Sequence, residues 1–146
     1  MTIRNMTSKD YGKVYELWIN TKGMGLNNLD DSYEGISRFL ERNPKTCFVA
    51  VEDKEIVGAI IAGHDGRRGY IYHTAVAEKY RHHGIGTRLV KNALSALKSE
   101  GIKKCALVVF DKNEGGNKFW ETIGFSKRND LIYRNKEIEK LIRIDT

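Results

Sequence analysis

The stretch Tyr80–Leu89 reads YRHHGIGTRL and decides how the rest of the chain is interpreted. Within it, Arg81, Gly84 and Gly86 stand at the spacing R-x-x-G-x-G. Glycines allow a tight backbone bend and leave the neighbouring N–H groups uncovered. The apolar residues that follow recur at steps of three and four, namely Ile85, Leu89, Val90, Ala93, Leu94 and Leu97. That spacing predicts a helix that begins directly at the glycines.

A glycine loop at the start of a helix is a typical phosphate-binding site. The first N–H groups of a helix have no partner inside it, and the helix dipole favours negative charge there. No acidic residue occurs from Lys79 to Ser99, whereas several cations do. On the glycines alone, an ordinary helix start in a basic protein remains an equal alternative.

The segment before the loop favours the phosphate interpretation. Tyr70–Val76, YIYHTAV, is aromatic and β-branched, which predicts a strand. A dinucleotide-binding unit would need G-x-G-x-x-G at this point, and the lysine of a nucleotide-hydrolase phosphate loop is absent. The unit is therefore a strand, a basic glycine loop of another kind, and a helix.

This order resembles motif A of the GNAT acetyltransferase superfamily, in which R/Q-x-x-G-x-G/A binds the pyrophosphate of acetyl-CoA. Asn113–Phe125, NEGGNKFWETIGF, is similar to a second block of the same superfamily. With the opening TIRNMTSKDYGKVYELW, the resemblance covers nearly the whole chain. It implies an acetyl-CoA-dependent N-acetyltransferase that moves an acetyl group directly to a primary amine.

The expected architecture is α/β, in a single N-acetyltransferase domain over residues 1–146. The resemblance implies a mixed, largely antiparallel twisted sheet with helices on both faces and strands splayed at the acetyl-CoA site. The patterns predict the following elements: strands at Ile3–Met6, Cys47–Val51, Ile56–Ala62, Tyr70–Val76, Lys103–Phe110, Phe125–Lys127 and Leu131–Tyr133, and helices at residues 8–20, 31–42, 85–100 and 113–123. The tail Lys136–Thr146 fits either a strand or a helix.

The resemblance also assigns an acetyl-CoA site. The loop and the first helical turn would bind the pyrophosphate, through Arg81, His82, His83, Gly84, Ile85, Gly86, Thr87 and Arg88. The backbone of Thr74, Ala75 and Val76 would pair with the pantetheine arm like an added strand. Asn113 would hydrogen-bond the pantetheine region.

The acid–base groups are less clear from the sequence. Relatives often place a Glu or His base on the strand before the loop, where this chain has Tyr70 and Tyr72. Tyrosine is a poor base at neutral pH, so a water relay is favoured. Histidine titrates near neutral pH, but strand alternation points His73 away from the face of Tyr72 unless a bulge intervenes. His73 is therefore interpreted first as a packed residue.

Trp120 departs from the pattern of the relatives, many of which have a tyrosine there that protonates the leaving thiolate. An indole N–H only donates a hydrogen bond. Three interpretations stay open: the thiolate leaves unprotonated, Tyr133 serves instead, or Trp120 packs in the core. The departure, with the missing carboxylate, motivates an alternative function, an acyl-CoA-binding sensor or degenerate module without useful turnover.

The loop Gly23–Asp31, GMGLNNLDD, is either a plain helix connection or a substrate-facing flap. As a flap it would offer Asp30, Asp31 and Glu34 to a cationic amine. The sequence does not identify the acceptor, which ranges from small amines to a protein N-terminus.

Composition narrows the partners. The net charge of +6 is spread along the chain, which favours an anionic ligand over nucleic acid, for which no known motif is present. Cys47 and Cys105 stand in apolar runs without metal-type spacing, so no metal site is expected and the thiols are interpreted as buried. No signal-peptide core or membrane-length apolar run is present, so a cytoplasmic location without membrane contact is expected. A homodimer is left open.

Overall fold

The computed structural model describes all residues, Met1–Thr146, as a mixed α/β fold. Its strands are β1 (Thr2–Asn5), β2 (Leu26–Asn27), β3 (Phe48–Glu52), β4 (Glu55–His64), β5 (Gly69–Val76), β6 (Cys105–Ala106) and β7 (Arg143–Ile144). Its α-helices are α1 (Tyr11–Ile19), α2 (Tyr33–Arg42), α3 (Ile85–Ser99) and α4 (Glu114–Thr122). Short 3₁₀ turns at Ser8–Asp10 and Glu78–Tyr80 precede α1 and the glycine loop.

The main sheet has the strand order β1-β3-β4-β5-β6. All neighbouring pairs are antiparallel except β5 and β6, which run parallel. The prediction of a mixed, largely antiparallel sheet is confirmed.

Helices cover both faces of the sheet, as predicted. Side chains of β4 alternate between the two faces, so Ala59 and Ile61 pack with Trp18 of α1, while Ile60 packs with Leu89 of α3. The two resulting cores are separate clusters, and they position β5 between α1 and α2 on one side and α3 on the other.

Local signals in the sequence explain where the helices begin and end. The hydroxyl of Ser32 accepts a hydrogen bond from the N–H of Gly35 at 3.0 Å and caps α2. Asn43 ends α2 because the following residue is Pro44. Gly101 and Gly124 follow α3 and α4 with positive φ, as the predicted helix ends require.

Three strand predictions in the C-terminal part were wrong. The predicted strand Lys103–Phe110 shrinks to Cys105–Ala106, and Val108 and Phe110 are exposed rather than buried. Neither Phe125–Lys127 nor Leu131–Tyr133 forms a strand, and Ile132 is 77% exposed. The apolar patterns are present, but a strand also needs a hydrogen-bonded neighbour, and apart from Cys105–Ala106, which pair with β5, these segments form no strand ladder.

The tail ends in a strand that the sequence did not single out. Arg143 and Ile144 of β7 pair antiparallel with Asn27 and Leu26 of β2. This two-stranded sheet attaches the C-terminus to the connection between α1 and α2. No helix in the molecule has both the length and the apolar character needed to cross a membrane.

Candidate functional site

The main sheet opens along one edge of β5. β4 pairs with β5 from Gly69 to Val76, but β6 pairs only with Gly69 and Tyr70 before it turns away. Beyond Tyr70, this edge of β5 therefore has no neighbouring strand as far as Val76. The opening lies where the splay was predicted, and it leaves backbone groups free to pair with an extended ligand.

A β-bulge interrupts β5 in the middle of this edge. Ile60 pairs with Thr74 and Ala62 with Ile71, so Tyr72 and His73 both lie opposite the single residue Ile61. A bulge breaks the alternation of side chains and re-aims them.

The bulge brings Tyr72 and His73 to the same side of the sheet. The ring of Tyr72 lies 5.6 Å from that of Phe39 in α2, and the ring of His73 lies 4.8 Å from that of Trp18 in α1. Simple alternation, which separates these two side chains, does not hold here.

The glycine loop follows the C-terminal end of β5. Arg81 folds back so that its Nε donates to the carbonyl oxygen of Val76 at 2.9 Å. His82 and Gly84 both have positive φ, +66° and +80°, and α3 begins at Ile85. Gly84 occupies the left-handed region at the N-cap, where glycine is favoured because it lacks a Cβ.

The backbone N–H groups from His82 to Thr87 have no acceptor in the protein. They lie at the positive end of α3, beside the exposed side chains of Arg81 and Arg88. A Cβ atom at Gly86 would come within 3.2 Å of the Phe119 ring, so a side chain there would crowd the space beside the loop. The glycine at 86 thus serves packing against α4, while the free N–H groups and the local positive charge fit a phosphate group.

His73 and Asp31 form a buried pair that the sequence did not predict. The Nε2 of His73 lies 2.6 Å from Oδ1 of Asp31, and the other carboxylate oxygen accepts from the N–H of Asn27 at 2.8 Å. Only 5% of the Asp31 side chain and 13% of the His73 side chain are exposed. No sequence signal marks the pair, because it depends on the bulge.

Because of this pair, Asp31 differs in its surroundings from Asp30 and Glu34, the other two acids of the predicted flap. Both oxygens of Asp31 are engaged inside the protein, so its carboxylate is not open to a ligand. Asp30 is exposed and accepts from Nδ2 of Asn27 at 3.0 Å. Glu34 is exposed in the first turn of α2.

An open groove of about 2140 Å³ lies beside the first half of β5, from Gly69 to Tyr72. Tyr70, Tyr72 and Trp120 all line it, and Tyr133 of the C-terminal segment lines it too. Burial raises the pKa of Tyr70 to about 12, with smaller contributions from Tyr133 and Tyr72. Burial, Tyr133 and Asp30 also raise the pKa of Tyr72. Both phenols therefore stay protonated at neutral pH.

Trp120 is both a packing residue and a lining residue. Its ring lies 5.0 Å from that of Phe119 and 5.1 Å from that of Phe125, each edge-to-face. It is half-buried and still faces the groove.

Asn113 caps α4 with its Oδ1, which accepts from the N–H of Gly116 at 2.9 Å. Its amide nitrogen makes no hydrogen bond in the protein and is free to donate to a ligand.

Comparison with known proteins agrees with this geometry. The model of the acetyltransferase (GNAT) family matches residues 11–125. The chain belongs to this family. The family match spans the first core helix, the open edge of β5, the glycine loop and α4.

Among curated relatives of this GNAT protein, human N-alpha-acetyltransferase 30 is 39% identical over 99 residues. That alignment covers 64% of the chain but only 27% of the human protein. An acetyltransferase from Pectobacterium atrosepticum is 30% identical over 139 residues, covering 95% of the chain and 97% of the relative.

Solved structures share the fold. The PaiA N-acetyltransferase from Thermoplasma acidophilum, in complex with coenzyme A, superposes with a TM-score of 0.72 at 20% identity. The superposition covers 83% of the chain and 86% of that protein.

Proposed function

We propose that this GNAT protein transfers the acetyl group of acetyl-CoA directly to a primary amine. The observation that carries the proposal is the row of free N–H groups from His82 to Thr87 at the end of an open strand edge. That combination suits a ligand with a pyrophosphate at one end and an extended arm at the other. The coenzyme A complex of the Thermoplasma PaiA protein supports the same ligand class.

The chain provides separate groups for each part of acetyl-CoA. The N–H groups of the loop, with Arg81 and Arg88, hold the pyrophosphate. The backbone of Thr74–Val76 hydrogen-bonds the pantetheine arm along the free edge, and the amide nitrogen of Asn113 donates to it from α4. Acetyl-CoA supplies an activated thioester carbonyl, whose bond to sulfur breaks as the amine nitrogen forms the amide.

Proton removal from the amine falls to water in the groove. Tyr70 and Tyr72 are protonated at neutral pH and act as hydrogen-bonding side chains that orient the amine and this water. His73 has its Nε2 committed to Asp31 and holds the bulge. The departing thiolate needs no protein acid, because a thiol with a pKa near 8.5 is a tolerable leaving group.

The first acceptor class to test is chosen from the chemistry of the transfer and from the names of the relatives. Human N-alpha-acetyltransferase 30 is named for transfer to α-amines, so peptides with a free N-terminus are the first acceptors to test. Asp30, whose charge acts on the groove-lining Tyr72, and Glu34, exposed in the first turn of α2, would offer charge to an arriving ammonium group.

The alternative function is an acyl-CoA-binding module without turnover. Trp120 and the missing carboxylate base motivate it, because Tyr70 and Tyr72 stand where relatives often have a base and both stay protonated at neutral pH. Binding and turnover must therefore be measured separately.

The experiment combines calorimetry with an assay of coenzyme A release. We expect acetyl-CoA to bind, and at least one amine from a panel of peptides, polyamines and aminoglycosides to release free coenzyme A. Binding without release by any amine would favour the module. Binding of duplex DNA at moderate salt without binding of acetyl-CoA would contradict both functions.

A further inference from the structure

The end of the groove furthest from the glycine loop carries an unbalanced cluster of positive charge. Two of its cations adjoin Gly69 at the start of β5: Arg68 precedes it, and the carbonyl oxygen of Lys104 accepts from the N–H of Gly69 at 2.9 Å. We call this the distal cluster; its groove-lining cations are Arg42, Arg68, Lys103, Lys104, Lys127, Arg128 and Arg134.

Few acids compensate this charge. Arg128 makes a bidentate pair with Asp130, but no carboxylate lies within 4.0 Å of the other six cations. Asp65, the one acid of this end that lines the groove, uses Oδ1 to accept from the backbone N–H groups of Arg67 and Arg68. The remaining groove-lining acids, Asp111, Glu114 and Glu121, belong to α4 and the turn before it.

The distal cluster is separate from the proposed pyrophosphate site. The two lie at opposite ends of β5, Gly69 and Val76, which are about 23 Å apart at roughly 3.3 Å per residue. This separation exceeds the Debye length of about 8 Å at physiological ionic strength, so each cluster acts on its own ligand group.

The walls of the groove suit an extended chain. Residues 107–109 and 131–134 line it without backbone hydrogen bonds to other strands. Free main-chain groups of this kind are the partners that an extended peptide uses when it binds beside a sheet.

We propose that the acceptor is a polypeptide N-terminus with acidic residues shortly after the first, bound with those acids on the distal cluster. Its amine lies at Tyr72 and Asp30. Tyr72 is three residues from Gly69, about 10 Å along the strand. An extended peptide covers that distance in about three residues, which places its fourth residue level with Gly69 and its third to fifth side chains nearest the cations. The inference rests on the proposed acetyl transfer and names its acceptor.

Three peptides that share their first residue and carry Glu, Gln or Lys at positions 2–5 test the inference. We expect kcat/KM to be highest for the Glu peptide, by about tenfold over Gln, because several exposed ion pairs add up. The advantage should shrink between about 50 and about 300 mM salt, because the Debye length falls roughly 2.4-fold over that range. Equal rates for the three peptides, or preference for Lys, would overturn the inference.

Reversing the charge of two cluster residues tests whether the preference for the Glu peptide arises at the distal cluster. The double variant Lys103→Glu/Lys104→Glu should raise KM for the Glu peptide by about five- to tenfold, and leave kcat and the KM for acetyl-CoA unchanged. The matched control Lys9→Glu/Lys22→Glu alters two exposed lysines outside the groove and changes net charge equally. An equal effect in the control would overturn the assignment to the distal cluster.

A binding measurement separates this inference from the proposed function. Fluorescence anisotropy with C-terminally labelled peptides should show tighter binding of the Glu peptide even where no coenzyme A is released. Coenzyme A release from other amines, without preferential binding of the Glu peptide, would overturn the inference and keep acetyl transfer. Tight binding of duplex DNA, weakened by Lys103→Glu/Lys104→Glu, with no binding of the Glu peptide would assign the cluster to nucleic acid instead.

Discussion

At the scale of single residues, Asp31 shows how the fold decides the role of a side chain. Its sequence neighbours suggest an exposed acid, but the structure buries it between His73 and the N–H of Asn27. It thereby connects the bulge in β5 to the α1–α2 connection. With both carboxylate oxygens engaged inside the protein, Asp31 stabilises this connection and is not open to a ligand.

We predict that Asp31→Asn lowers the free energy of unfolding by about 1.5–3 kcal/mol, the usual worth of a hydrogen bond to a charged group. Urea denaturation measures the change. Asp30→Asn is the matched control, because Asp30 is exposed, and it should change stability by less than about 0.5 kcal/mol. Equal effects of the two substitutions would contradict the buried pair.

Trp120 poses the second question at this scale, namely whether its indole takes part in the reaction. We predict that Trp120→Phe leaves kcat unchanged, because the thiolate departs without an acid and phenylalanine keeps the contacts with Phe119 and Phe125. Steady-state kinetics with the best amine of the panel measures this. A loss of the size of general acid catalysis, about 10²–10⁴-fold, would show that the indole N–H is required.

At the scale of elements, a salt bridge connects the first strand to the first helix. Arg4 donates through both terminal nitrogens to Asp10, at 2.9 and 2.8 Å, and the N–H of Thr7 donates to the same carboxylate at 2.9 Å. Hydrogen bonding from Arg4 is the main cause that lowers the pKa of Asp10 below its ordinary value.

The sign of this shift predicts acid sensitivity. Because the pKa is lower in the folded state, the stabilisation is present above the unfolded pKa of about 3.9 and is lost as the pH falls through the folded value. Asp10→Asn should therefore be less stable than wild type at pH 7, and the difference in stability should narrow as the pH falls below the unfolded pKa of about 3.9. Thermal melts across this range measure it.

Glu41→Gln is the control for the loss of stability at low pH, because Glu41 is exposed and makes no ion pair. It should behave like wild type at each pH. If the stability difference between Asp10→Asn and wild type were independent of pH, titration of Asp10 would not explain the acid sensitivity.

At the scale of the whole molecule, the predictable parts are those whose side chains repeat with a clear period. Helices α1 to α3 and strands β3 to β5 bury one or both of their faces, so the spacing of their apolar residues in the sequence predicts these elements. The glycine loop was predictable because the spacing R-x-x-G-x-G is visible in the sequence. The structure explains the two glycines, since Gly84 has a positive φ and Gly86 lies against Phe119. These features carry the family resemblance.

The features that were not predictable depend on pairing between distant segments. The bulge at Tyr72 and His73 exists only through the register of β5 against β4. The short pair of β2 and β7 joins the α1–α2 connection to the C-terminus. The segment Lys103–Phe110 has a strand pattern but leaves the sheet after Ala106. Each outcome depends on which neighbour is available, and the sequence of one segment does not state that.

The central claim is that acetyl-CoA binds with its pyrophosphate on the loop from His82 to Thr87 and its arm along the free edge of β5. An amide-resolved NMR titration with acetyl-CoA tests it most directly. We expect the largest shifts at the amides of residues 82–87, smaller ones at Thr74–Val76, and little change in α1. Arg81→Ala should weaken the affinity by about 1.5–3 kcal/mol without changing the pattern. Shifts that avoid the loop, or no binding at all, would contradict the account.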